Sequence, residues 1–303
     1  MSPWAWWALG CDTDCRRECL AREAQQQAAQ REERQGKEAT ENGLLHGAKY
    51  IMARGGRLAL PAKQSFSPGR YVPLFCAGRH VGWLRPQLAA RLGAWPAVFR
   101  SQSDQVQLLE PASLSPIVEE LAREGFIPGW RNERYGISGL FEIERAAARP
   151  FGLTTYAVHL NGISFDENNM WIARRSAAKP IDPGMLDNLV GGGISAGSSL
   201  EETLVKEAWE EAGIAAELAR SAKRGGTVRI LRDVPEGVQS EVISVYDLVL
   251  PAGFEPTNQD GEVAEFQCLP FDEVLRLLRD TDEFTLDATL VAMDYFERRS
   301  LRS

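Results

Sequence analysis

The chain is expected to fold as an α/β protein: an α/β/α sandwich preceded by a small α+β unit. Three observations predict this. A glycine-rich stretch, Gly191-Gly192-Gly193, leads into a segment with one apolar and one acidic face at helical spacing. Segments rich in Val, Ile and Tyr lie on both sides of that helix in sequence. Two further helical patterns close the chain. Strands around one central helix, with more helices outside, pack as layers on a shared core.

Residues 1–62 differ from the rest and read as an extension, partly helical or disordered. Within it, residues 25–35 are polar and charge-mixed. Cys11, Cys15 and Cys19 recur every four residues but lack C-x-x-C pairs, so incidental thiols are favoured over a metal site. A small α/β unit is expected over residues 63–145. Residues 71–76 and 81–84 alternate as a hairpin turning through Gly78. Residues 86–92 and 115–124 have helical patterns, with a strand at 106–109 between them.

The second domain is placed at 146–303. Residues 154–165 and 170–175 read as strands joined by the turn Asp166-Glu167-Asn168-Asn169. The glycine stretch is then expected as a turn. Ser199 and Glu202 form a capping-box pattern, and Gly213 supplies the helix stop. Leu204, Val205, Ala208 and Ala212 make the apolar stripe. Residues 241–250 read as a central strand and 263–269 as another. Helices are expected at 271–279 and 286–299.

Composition narrows the function. The 303 residues are 44% hydrophobic and 25% charged, as in a soluble chain of two small domains. Thirty-four basic against 42 acidic residues leave a net charge of −8, which argues against gripping a nucleic-acid polymer or an anionic membrane. No apolar run reaches the roughly 20 residues that span a bilayer. Five cysteines, an odd number, fit a reducing, cytoplasmic setting. The first ten residues lack a basic region, so no secretory or transit signal is expected.

The acidic face carries the chemistry. Residues three and four apart share a helix face, so Glu207, Glu210 and Glu211 project together. Three hard oxygen donors suit Mg²⁺ or Mn²⁺, ions that work on phosphates. The bland alternative is a solvated acidic face. Glu262, after the turn Asp260-Gly261, is either a further ligand or base or an exposed turn carboxylate. Glu265 is the weaker candidate.

Arg174, Arg175 and Lys179 are candidate phosphate contacts, and strand alternation allows only one of the two arginines to reach the site. Trp130 and Trp171 are either stacking platforms for a flat heterocycle or core residues, the latter favoured. Asp187 and Asn188 are read as shaping the loop through Asx turns. His46, His80 and His159 do not cluster, and His159 reads as structural.

The segment resembles the Nudix box, G-x5-E-x7-R-E-U-x-E-E-x-G-U, where U is aliphatic. Gly192, Glu207, Glu210, Glu211, Gly213 and Ile214 match it. Ser198 stands where the first glutamate is expected, and Lys206 where the arginine is. The resemblance implies a mixed-sheet Nudix sandwich, divalent metal on the three glutamates, and a metal-polarised water attacking a diphosphate. It also implies a homodimer as one expected assembly.

Further segments resemble the thiamine-pyrophosphokinase-related Nudix subgroup, among them Trp130-Arg131-Asn132-Glu133, Glu144-Arg145-Ala146, Leu186-Asp187-Asn188 and Asp260-Gly261-Glu262-Val263. That resemblance implies hydrolysis of thiamine diphosphate, or its oxidised forms, to the monophosphate. The alternatives are an oxidised nucleoside diphosphate phosphatase or another nucleoside-diphosphate-X pyrophosphatase. A non-catalytic nucleotide sensor and an isopentenyl-diphosphate isomerase carry less weight, the latter because Cys268 has no evident histidine partner. No G-x-x-x-x-G-K-[ST] loop supports a kinase.

Overall fold

The computed structural model describes residues 50–53, 56–59 and 65–300. The cysteine trio and the polar tract at 25–35 lie outside the described residues. By contact density the chain divides into residues 1–49 and 50–303, and only the second unit is described below. Within the expected extension, β1 (Tyr50–Ala53) and β2 (Gly56–Ala59) pair antiparallel.

The small domain is a four-stranded sheet with two helices. β3 (Val72–Cys76) and β4 (Arg79–Leu84) form the expected hairpin, turning through Ala77 and Gly78 at φ +49° and +75°. α1 (Pro86–Leu92) starts with proline, whose missing N–H costs nothing in a first turn. β5 (Phe99–Ser101) and β6 (Val106–Leu108) complete the sheet in the order β4-β3-β6-β5. α2 (Leu114–Arg123) buries Leu114, Ile117, Val118 and Leu121, spaced at three and four. A second hairpin, β7 (Arg134–Ile137) and β8 (Phe141–Glu144), was not foreseen because Gly136 interrupts its alternation.

The larger domain is built on a mixed seven-stranded sheet. Its long strand β9 (Thr154–Ile163) pairs parallel with β14 (Gly237–Val249), which pairs antiparallel with β13 (Lys223–Val234). On its other side β9 pairs with β10 (Asn169–Arg175) and β12 (Val190–Gly193), and β10 also pairs with β11 (Leu186–Asp187) and β15 (Val263–Pro270).

β13 escaped notice because it opens with Lys223-Arg224-Gly225-Gly226, a pattern that reads as a turn. Both glycines are needed there for space. A Cβ on Gly225 would meet the Arg298 guanidinium at 2.5 Å, and one on Gly226 would run into the Asp294 carboxylate. Helix α3 (Leu200–Ala212) covers one sheet face, burying Leu204, Ala208 and Ala212 against Val158, Leu160 and Leu248. Short α4 (Ala216–Arg220) follows it. α5 (Phe271–Asp280) and α6 (Leu286–Ser300) cover the opposite face, where Leu290 and Val291 meet Ile243 and Val245. An α/β/α sandwich results.

Gly191, Gly192 and Gly193 do not form the expected turn. They pair as β12 with His159, Val158 and Ala157 of β9. The reason is space. A Cβ on Gly191 would approach the His159 ring at 2.9 Å, and one on Gly192 or Gly193 would overlap Glu207 or the Tyr135 hydroxyl.

The two domains share a tight seam. Trp83 N–H donates to Phe151 O at 3.0 Å, and the Tyr71 hydroxyl to Gly237 O at 3.0 Å. Gly152 has φ +58°, and a Cβ there would reach Trp83 O at 2.5 Å. Phe151 and Leu153, each 1% exposed, belong to the small domain's core. Phe151→Ala is therefore expected to cost about 3–5 kcal/mol of unfolding free energy. A denaturant midpoint unchanged from wild type would contradict this packing.

Candidate catalytic carboxylate site

α3 is held at both ends by its own sequence. Ser199 Oγ accepts from Glu202 N–H at 3.1 Å, while Glu202 Oε2 accepts from Ser199 N–H at 2.8 Å. Gly213 closes the helix at φ +65°, where an L side chain is strained.

Between these caps the three glutamates point the same way but are divided between two lysines. Lys206 donates to Glu207 at 3.0 Å and to Glu210 at 2.6 Å. Lys179, arriving on the β10–β11 loop, lies 3.5 Å from Glu211 Oε1 and also pairs with Glu262. Glu211 Oε2 accepts from Gly191 N–H at 2.8 Å, which ties the helix to β12. Among the described residues no three acidic, His or Cys side chains already close into a cation cage.

The electrostatics are those of an under-neutralised acidic cluster. Glu211 is 6% exposed. Burial pushes its pKa up to about 7, and Lys179 offsets only part of that rise. Burial also raises Glu207, against the pull of Lys206. Lys206 is raised: burial works against its charge, but its hydrogen bonds to Glu210 and Glu207 prevail.

The other sequence candidates separate. Arg175 and Arg174 do diverge. Arg175 turns toward the cluster and shares a recess with Lys179, Asp187, Asn188, Glu211 and Glu262. Its guanidinium is taken up by Asp187 at 2.7 Å and by the carbonyls of Ile181 and Asp182. Arg174 turns away to Gly184 O and Glu265. Glu262 sits on an Asx turn, its N–H donating to Asp260 at 2.8 Å.

Trp130 is 39% exposed and donates to Asn132, so it is not a core residue. Trp171 packs partly buried near Val158 and Leu160. His159 is buried and bonded to Asn188 at 2.8 Å, a structural histidine as expected. Asp187 does accept from Asn188 N–H, at 2.9 Å, but its larger partner is Arg175. Spacing alone gave no sign of that pair, because the partners lie on different strands.

On the α6 side of the sheet, Gln239 donates to both Glu241, at 3.0 Å, and Asp287, at 3.2 Å. Burial first, and then the Glu241 charge, raise Asp287 above the ordinary carboxylate range. The folded state thus holds that proton more tightly than the unfolded chain. Its stabilising effect is complete below the ordinary carboxylate pKa and is lost as pH rises through the raised value. Asp287→Asn is expected to raise Tm at about pH 8 and to leave it nearly unchanged near pH 4. A lower Tm at the alkaline pH would contradict this.

A domain of unknown function, DUF4743, matches residues 57–155, and the NUDIX domain matches residues 155–289. Nudix hydrolase 24, chloroplastic, of Arabidopsis thaliana is 41% identical over 197 residues, covering 62% of this chain and 54% of that protein. Nudix hydrolase 20, chloroplastic, of the same plant is 39% identical over 255 residues, covering 76% of this chain and 68% of that protein. The chain belongs to the Nudix hydrolase family. Among solved structures, DR0079 of Deinococcus radiodurans is 24% identical over 46% of this chain and 83% of its own, with a TM-score of 0.38.

The Nudix box departures have visible consequences. Lys206, in the arginine position, binds Glu207 and Glu210 directly. Ser198 is exposed, and its N–H closes a turn on Ser195 O at 3.1 Å. Ser199, one residue later, does the capping.

Proposed function

We propose that this Nudix chain is a divalent-metal-dependent diphosphate hydrolase whose substrate is thiamine diphosphate or its oxidised forms. The observation that carries the hydrolase reading is the buried Glu211, bonded to Gly191 and flanked by Glu207 and Glu210 on one helix face. An acid that burial pushes up to about 7 despite a nearby lysine marks a place short of positive charge. The donors are all carboxylate oxygens, which fits Mg²⁺ or Mn²⁺. Glu207, Glu210 and Glu211 would hold such an ion, which supplies Lewis acidity toward phosphate and a more acidic water.

The chain's own residues do the rest. Gly191 N–H fixes the Glu211 carboxylate. Lys179 and Lys206 stand ready to exchange their carboxylate partners for phosphate oxygens. Glu262, 49% exposed beside Lys179, would be the group that accepts a proton from water in this reading. The thiamine reading is supported by the segments at residues 130–133, 144–146, 186–188 and 260–263, which resemble the thiamine-pyrophosphokinase-related subgroup.

A phosphate-release screen over thiamine diphosphate, its oxidised analogues, oxidised nucleoside diphosphates and ADP-ribose tests this reading. Thiamine-type diphosphates are expected to turn over fastest, and excess EDTA to abolish turnover without lowering secondary structure. Preference for an oxidised nucleoside diphosphate would overturn the substrate assignment. Turnover unaffected by EDTA would overturn the metal.

A further inference from the structure

The small domain reaches into the Nudix site through the β7–β8 hairpin and the turn after it. Ala196 N–H, in the loop entering α3, donates to Arg134 O at 2.7 Å. Next to it, Ser195 Oγ donates to Glu133 Oε1 at 2.6 Å. The other oxygen of Glu133 takes Arg145 Nη1 at 2.7 Å, and Arg145 N–H donates to Glu133 O at 2.7 Å. The Arg145 guanidinium lies 5.3 Å from the Tyr135 ring centre, and the Tyr135 hydroxyl fills the space beside Gly193. Glu133, Tyr135 and Arg145 thus stand against the strand and loop that lead to the glutamates.

Arg145 differs from the other cations of the site. Lys179 and Lys206 each neutralise two carboxylates, and Arg175 is engaged by Asp187 and two carbonyls. Arg145 gives one amino group to Glu133, and its side chain stays 42% exposed. Among the described residues its remaining guanidinium donors meet no other protein acceptor. Through Tyr135 it stands beside Gly193, one residue from Gly192, where a Cβ would meet the Glu207 side chain. A guanidinium whose Nε and Nη2 edge is free, fixed in direction by a carboxylate and an aromatic ring, matches the spacing of phosphate oxygens.

We propose that Arg145 is a substrate-binding residue that grips the diphosphate, with Glu133 and Tyr135 as the positioning residues that aim it. The small domain is then a working wall of the site, built to recognise the anion. This rests on the diphosphate reading above, so binding is measured apart from turnover. The probe is methylenediphosphonate, whose P–C–P bridge cannot be hydrolysed, titrated calorimetrically into the full-length protein in magnesium buffer. Arg145→Ala is expected to weaken binding roughly 10-fold or more, Arg145→Lys to restore part of it, and Arg70→Ala, a control at a surface ion pair, to leave it unchanged.

In turnover, Arg145→Ala is expected to raise KM far more than it lowers kcat. Glu133→Gln is expected to raise KM to an intermediate degree. Equal binding by wild type and Arg145→Ala, or no binding by wild type, overturns the proposal. Arg145-dependent binding without turnover of any diphosphate overturns the hydrolase reading and leaves this one standing. Melting curves on each variant identify loss of fold. If Arg145→Ala melts early, the comparison rests on Arg145→Lys, and binding by that variant equal to wild type with KM unchanged counts against the fork-shaped contact.

Discussion

Glu211→Gln is expected to lower kcat by on the order of 10³-fold and to leave the protein folded, with Tm equal to or above wild type. The two halves of that expectation have one cause. Glu211 is 6% exposed, and burial makes its charged form costly, raising its pKa to about 7. A neutral amide of the same shape removes that cost and keeps an acceptor for Gly191 N–H, which now lies 2.8 Å from the carboxylate. What it removes is the negative charge that cation binding requires. Glu210→Gln shares the kinetic outcome, but its stability should change less, because Glu210 is half-exposed beside Lys206. Steady-state kinetics and melting curves on both variants check this. Near-normal turnover in either variant would remove the glutamates from the mechanism.

Gly192→Ala carries the second large expected effect, a loss of about 10²-fold in kcat with a modest change in KM. The backbone of Gly192 is extended and needs no glycine for its φ. The constraint is contact: a Cβ at this position falls on the Glu207 side chain, close to its carboxylate. β12 is hydrogen-bonded to β9 at this residue, so the strand cannot retreat, and Glu207 must move instead. A catalytic carboxylate displaced by about 1 Å is enough for such a loss. Stopped-flow or steady-state rates on the variant, with circular dichroism to establish folding, decide the matter. A variant with wild-type kcat would mean that Glu207 can leave its position at no cost to the reaction.

How much of this was legible in the sequence follows from how local each feature is. The helix α3, its capping box and Gly213 stop depend on residues three or four apart, so they read directly. The hairpin β3–β4 and helix α1 were legible for the same reason. β13 was hidden, because its strand pairing with β14 overrides a glycine- and charge-rich opening. The triple glycine looked like a turn, since only the fold reveals that His159, Glu207 and Tyr135 occupy the space its side chains would take.

In the site, the shared face of the three glutamates was readable from helical period. Their division between Lys206 and Lys179 was half readable. Lys206 is four residues from Glu210, whereas Lys179 is 32 residues from Glu211 in sequence. The ties from Glu133 to Ser195 and from Arg175 to Asp187 lie beyond any pattern argument, because they join different elements. The subgroup segments around Glu133 and Arg145 marked that region without giving it a role.

The claim on which the account turns is that one face of α3 collects a divalent cation. Crystals of the full-length protein grown with Mn²⁺, with anomalous diffraction collected at the manganese edge, address it directly. The expected map has an anomalous peak among the Glu207, Glu210 and Glu211 carboxylates, with Lys206 displaced from at least one of its partners. Saturating Mn²⁺ with no peak at those carboxylates, and both lysine bridges intact, would contradict it.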